Sequence, residues 1–103
     1  MTPARPKTTV RKPAYILRLY INTSTSKSLL ALRNIKKVCE EHLKGLYHLD
    51  VIDVRTHAHL ARDEQIVAVP TLIKQLPQPL RRLVGDMSDV DKVLFGLDVR
   101  GRE

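Results

Sequence analysis

Leu76-Pro-Gln-Pro-Leu-Arg-Arg-Leu-Val-Gly-Asp-Met-Ser88 is the stretch on which the fold turns, because it supports two incompatible readings. As a hairpin, Leu76-Pro-Gln-Pro79 is the turn, with Thr71 to Leu76 and Leu80 to Val84 as the flanking strands. Ser88 then caps a helix with Asp91 at its third position, and Val90, Val93, Leu94 and Leu97 form its apolar face. As a helix, the same stretch starts at Pro79, and Leu80, Leu83, Val84 and Met87 recur at i, i+3, i+4 and i+7. The residues that follow are equally divided. Val93, Phe95, Leu97 and Val99 alternate as a strand would, with Leu94, Gly96 and Asp98 on the opposite face. Short segments are often underdetermined by pattern, and a rarer cause is one chain with two packings close in free energy.

Upstream the pattern is plainer. From Tyr15 to Ile21, Leu17, Leu19 and Ile21 share one face and Ile16, Arg18 and Tyr20 the other, which is the period of a strand. Asn22-Thr-Ser-Thr-Ser26 is a polar turn offering several N-cap residues. Behind it Leu29, Leu32, Ile35, Val38, Cys39 and Leu43 recur at helical spacing. Lys44-Gly45 ends that helix with a cation in the last turn and a glycine beyond it. Leu46 to Val54 is a second strand, so strand, helix and strand form a βαβ unit with parallel strands. Ala58 to Ala68 reads as a short helix carrying Leu60, Ile66, Arg62, Asp63 and Glu64. It stops before Val69-Pro70, since the residue preceding proline avoids the α region.

The chain has 103 residues, 43% of them hydrophobic and 28% charged, which argues for one folded domain and against general disorder. A core of this size buries only around two thirds of the unfolded surface, so self-assembly would help it. Residues 1 to 13 hold half of the six prolines and four cations without an acid, and read as a flexible basic tail before a domain over 14 to 103. That tail accounts for more than half of the net charge of +7, so the folded body is only mildly basic. No apolar run approaches the ~20 residues of a membrane span. The start has no signal-peptide core, and one cysteine cannot form an intrachain disulfide, so a cytoplasmic setting is expected.

Strand, helix, strand, short helix, Val69-Pro70-Thr71 and hairpin together resemble the thioredoxin architecture, in which a cis proline precedes the third strand. A redox enzyme of that fold carries its thiolate at the start of the first helix, where the dipole lowers its pKa. Here Asn22 to Ser28 holds no cysteine, and Cys39 lies on the apolar helix face as a core thiol. His57 and His59, even with His48 or Asp53, lack a clear four-ligand set for a metal. Glu40-Glu41 and Asp63-Glu64 diverge on helices, and the four glycines are too dispersed for a phosphate loop. No catalytic constellation, cofactor site or metal site is expected. Arg18, Lys44, Lys74, Arg81 and Arg82 are cations on or beside the expected strands, and Asp86, Asp89, Asp91 and Asp98 gather near the C-terminal segment. Opposed charge of this kind can give a partner attraction and register, and equally serves solubility. Neither interleaved aromatics nor a recognition helix favours nucleic acid.

Tyr15-Ile-Leu-Arg-Leu-Tyr-Ile21, Gly45-Leu-Tyr-His-Leu-Asp-Val-Ile-Asp-Val54, Ile66-Val-Ala-Val-Pro-Thr-Leu72, the Leu76 to Ser88 stretch and Lys92-Val-Leu-Phe-Gly-Leu-Asp98 together resemble the KaiB family of small clock proteins. The resemblance implies a metamorphic α/β protein of the thioredoxin-like superfamily. Its ground state, expected for the isolated chain, is a βαββααβ homotetramer. A thioredoxin-like βαβαββα monomer binds a hexameric KaiC ATPase and modulates its phosphorylation or output without turnover. That exchange of helix and strand fits the double reading of Leu80 to Met87 and Val93 to Val99. The resemblance places partner binding on Arg18, Lys44, Lys74, Arg81 and Arg82, and the balance of the two folds on Gln78, Gly96 and Asp98. Two features depart from the family. The chain ends in Arg100-Gly-Arg-Glu103 where clock members carry an acidic tail, and Gln78 stands where the family has the middle of three prolines. Homologues linked to stress adaptation, and histidine kinases whose sensor domain resembles this fold, offer neighbouring functional settings.

Overall fold

In the computed structural model, which describes residues 13 to 99, the elements run β1 (Tyr15–Ile21), α1 (Ser26–His42), β2 (Tyr47–Asp53), α2 (Ala58–Asp63), β3 (Thr71–Leu76), β4 (Arg81–Val84) and α3 (Val90–Gly96). This is the βαβαββα order. The basic tail, up to residue 12, and the last four residues lie outside the described residues. One four-stranded sheet is ordered β2-β1-β3-β4. β1 pairs with β2 in parallel, Leu17 opposite Leu49 and Leu19 opposite Val51. β3 runs antiparallel to β1 and β4 antiparallel to β3, with Leu72 facing both Leu19 and Leu83.

The alternation in β1 sorts the two faces of the sheet. Leu17, Leu19 and Ile21 join Ala31, Ile35, Val38, Cys39 and Leu43 of α1 and its end, with Leu72, Met87, Val93 and Leu97, in one continuous core. Burying a side chain of this size contributes about 1.5–3 kcal/mol relative to leaving it exposed. Thr25 caps α1, its Oγ1 accepting from the Ser28 N–H at 3.3 Å, and Gly45 turns the chain at φ +76° towards β2.

Two helices differ from the sequence expectation in ways that have local causes. α2 ends at Asp63 instead of Ala68 because Gln65 adopts φ +57° and closes a Schellman motif. Its N–H donates to Arg62 O at 3.0 Å and the Ile66 N–H to Ala61 O at 2.9 Å. α3 is capped by Asp89, not Ser88: the Asp89 carboxylate accepts from the Lys92 N–H at 3.2 Å, while the Ser88 N–H is drawn to Asp86 Oδ1 at 3.0 Å. The short Asp side chain at each position competes successfully for the local amide.

The order expected for the resting chain is not the one observed. Leu80 to Met87 is a strand followed by a turn in which Gly85 (φ +124°) and Met87 (φ +63°) interrupt any helix. Val93 to Val99 is the end of a helix and its cap. Ladder bonds from β3 stabilise β4, and burial of Val93 and Leu97 against the core stabilises α3. Val69-Pro70, before β3, is cis, as are Leu76-Pro77 and Gln78-Pro79.

Candidate functional site

The surface to which the sequence points is built around the C-terminal half, and its cations do not share one role. Lys74 leaves β3 on the core face beside Leu17 and Arg81 and is only 1% exposed. Its ammonium donates to Pro77 O at 2.6 Å, Pro79 O at 2.8 Å and Asp98 Oδ2 at 2.6 Å. The expectation of a surface cation is therefore corrected at Lys74: a buried ammonium needs acceptors, and the turn and Asp98 supply them. Arg81 reaches the same Asp98 oxygen from the solvent side at 3.2 Å. Hydrogen bonding and charge from Lys74, then from Arg81, hold the Asp98 carboxyl below its usual range.

Asp98 itself sits at φ +61° and ends α3. Its N–H donates to Phe95 O at 3.1 Å and the Val99 N–H to Leu94 O at 3.0 Å, a second Schellman motif. The helix terminus and the ion cluster are thus the same residue. Two residues before it Gly96 is buried, and an ideal Cβ there would lie 2.5 Å from Leu83 Cδ2 on β4. Gln78 is exposed at the tip of the β3–β4 turn, among the partly or largely exposed apolar residues Leu76, Pro79 and Leu80.

The other cations lie apart. Arg82, on the opposite sheet face, donates to Glu64 O at 2.7 Å and Gln65 O at 3.3 Å. Arg18 stands between Asp50 and Ile73 in the register, and the Tyr20 hydroxyl, with Glu64 and Asp50, raises its already high pKa. Lys44 is exposed in the turn after α1. The structure thus brings together Lys74, Arg81 and Asp98, sets Arg18 and Arg82 on the other sheet face on either side of Ile73, and leaves Lys44 by itself.

Sequence reasoning missed how the acids are used. Asp86, Asp89 and Asp98 serve turn, cap and ion cluster. At the far end of the sheet Asp53 joins the turn after β1 to the end of β2, accepting from Thr23 Oγ1 at 2.7 Å and from the Arg55 N–H at 2.9 Å. Local signals exist for three of these roles: Asp53 and Asp86 accept from the amide two residues on and Asp89 from the amide three residues on, whereas the partners of Asp98 are remote in sequence.

Among the described residues no group of three His, Cys, Asp or Glu could hold a metal ion. His57 and His59 are exposed at the start of α2. Burial pushes the Cys39 thiol up to about 12, far from the thiolate that redox exchange requires. A thiol-labelling reagent at pH 8 is expected to modify Cys39 at least ~100-fold more slowly than a free thiol, and at the free rate in urea. Equal rates in buffer and urea would contradict that burial. Among the described residues no helix is long and apolar enough to cross a membrane.

Residues 18–99 match the KaiB domain model. The chain is 47% identical over 90 residues to the circadian clock oscillator protein KaiB of Microcystis aeruginosa, covering 87% of this chain and 86% of that one. It is 48% identical over 84 residues to the circadian clock protein KaiB3 of a Synechocystis species, covering 82% of each. In fold it is similar to the N-terminal domain of Synechococcus elongatus SasA, with a TM-score of 0.69 at 20% identity over all of this chain and 95% of that one. It is likewise similar to chloroplastic thioredoxin z, with a TM-score of 0.68 at 19% identity, covering 91% and 88%. The fold is thioredoxin-like, and the chain belongs to the KaiB family of circadian clock proteins.

Proposed function

We propose that the chain is a non-enzymatic regulator that binds a KaiC-type hexameric ATPase and modulates its phosphorylation or output. The βαβαββα order is its binding-competent state, in slow exchange with a resting βαββααβ homotetramer. The observation that carries the reading is membership of a clock-protein family at 47% identity over most of the chain. It is supported by the double patterning of Leu80 to Val99. Of the five cations the resemblance assigns to partner binding, the contact surface would use Arg18, Lys44 and Arg81, with the buried Lys74, the backbone-bound Arg82, Gln78, Gly96 and Asp98 setting the balance between orders. Such a protein acts in the cytoplasm, as a clock component or as a clock-derived stress-adaptation module.

The physical consequence of exchange is simple. A competent order populated at about 1% weakens apparent affinity about hundredfold and slows association accordingly. Likeness in fold to the SasA domain favours a second reading, an interaction module for another signalling partner such as a histidine kinase.

Size-exclusion chromatography with light scattering separates these. A tetramer alone that joins a KaiC-type hexamer slowly, as monomers and in a nucleotide-dependent way, is the expected result. A chain that joins the hexamer in no nucleotide state would overturn this function and direct the search to another partner.

A further inference from the structure

α2 is the element with the weakest means of holding its place. It is six residues long, has no buried residue, receives no side-chain hydrogen bond at its N-cap His57, and has no acid in its first turn. Its C-terminal turn closes through Gln65 in the left-handed region, a conformation that disfavours a residue with a Cβ. Among the described residues, a side chain from β4 donates to the carbonyls of this terminus. The Arg82 guanidinium of β4, 18 residues on in sequence from Glu64, donates to Glu64 O and Gln65 O.

We infer that Arg82 is a clasp, a positioning residue that holds the C-terminus of α2 onto β4, and that it governs partner binding through this fold instead of by contact. The chemistry suits the task. Carbonyls at a helix end carry partial negative charge and lack intrahelical donors, and a planar guanidinium can donate to two of them at once. An ammonium on a lysine stem offers the charge without the fork.

The clasp also joins two parts of the chain whose states differ in meaning. Arg82 belongs to the segment with two readings, and its reach to α2 depends on Arg82 lying opposite Ile73 in the β3–β4 ladder. Were Leu80 to Met87 helical, that register would not exist. A residue read from sequence as partner-facing thus registers whether β4 has formed. The consequence for binding rests on the proposed exchange of orders; the clasp itself does not.

The test is native-state hydrogen exchange by NMR on the full chain, as wild type, Arg82→Ala and Arg82→Lys, read on the species in which Ile73 and Arg82 show cross-strand contact. It is read at the Glu64, Gln65 and Ile66 amides, which close the end of α2. Arg82→Ala is expected to lower their protection about fivefold to tenfold, with Arg82→Lys between. Protection unchanged in Arg82→Ala, or absent in wild type, overturns the clasp. With a KaiC-type hexamer as probe, Arg82→Ala should lower the association rate and leave dissociation within about twofold. Faster dissociation with unchanged association would identify a contact residue and overturn the indirect role. If wild type binds no hexamer, the proposed partner fails and the exchange result still decides the clasp.

Discussion

Lys74→Met is expected to destabilise the βαβαββα fold by about 3 kcal/mol, read as a lower urea midpoint with unchanged slope. Methionine fills much of the same volume, so the loss is not a cavity. What disappears is the donor for three acceptors at once, Pro77 O, Pro79 O and the Asp98 carboxylate. Two carbonyls of a tight turn and one carboxylate are left to find water at a site where the present donor is 1% exposed. The pair also has a pH signature. Asp98 titrates below its ordinary value near 3.8, chiefly because of Lys74. A carboxyl with a lowered folded pKa stabilises the fold above its unfolded pKa and loses that contribution as pH falls through it. Wild type should therefore lose stability on acidification below about pH 4 more steeply than Lys74→Met. Parallel acid limbs would mean that the ion pair contributes nothing. Adding Asp98→Asn to Lys74→Met should cost less than it does in wild type, because only the more exposed Arg81 is left to pair with the carboxylate.

Lys74 also illustrates how far sequence carried the reading. The β1 alternation, the α1 periodicity and the β2 run each have one strong period, and the structure places them within a residue or two. In a strand over Thr71 to Leu76, Lys74 shares a face with Leu72, but a lysine there reads as an edge or surface cation unless its acceptors are known. Those acceptors come from a turn and from the end of α3, and Asp98 lies 24 residues away in sequence, a pairing that no local pattern encodes. The end of α2 at Asp63 is hidden from the sequence for a related reason. Gln65 at positive φ is a poor sequence signal, and the Arg82 donors that brace it arrive from β4. The Leu80 to Val99 region stayed open because its two patterns are both locally valid. What selects between them here is tertiary: Leu83 against Leu72, Val93 and Leu97 in the core, and Asp98 on Lys74.

A size series at Gly96 tests that tertiary selection. Gly96→Val is expected to destabilise this fold by about 2 kcal/mol. Gly96→Ala is expected to stay within about 1 kcal/mol of wild type. The position is the last residue of α3, buried where the helix crosses β4. An added Cβ would meet Leu83 Cδ2 at 2.5 Å, Cδ1 at 2.9 Å and Cγ at 3.0 Å, all on one side chain. A single methyl can be accommodated by turning the Leu83 isobutyl group. Alanine also gains about 1 kcal/mol of helical preference over glycine, which offsets the displacement. The two further methyls of valine leave Leu83 no unhindered rotamer, and the helix must lift from the strand. The decisive comparison is therefore with Leu83→Ala, measured by urea denaturation. In that background Gly96→Val should lose most of its cost, a coupling of about 1–2 kcal/mol, and Gly96→Ala should become stabilising. Additive effects would mean that α3 does not rest on Leu83. Since Leu83 is also one of the apolar residues of the alternative helix from Leu80 to Met87, a strong coupling would tie the choice between strand and helix in that stretch to one contact.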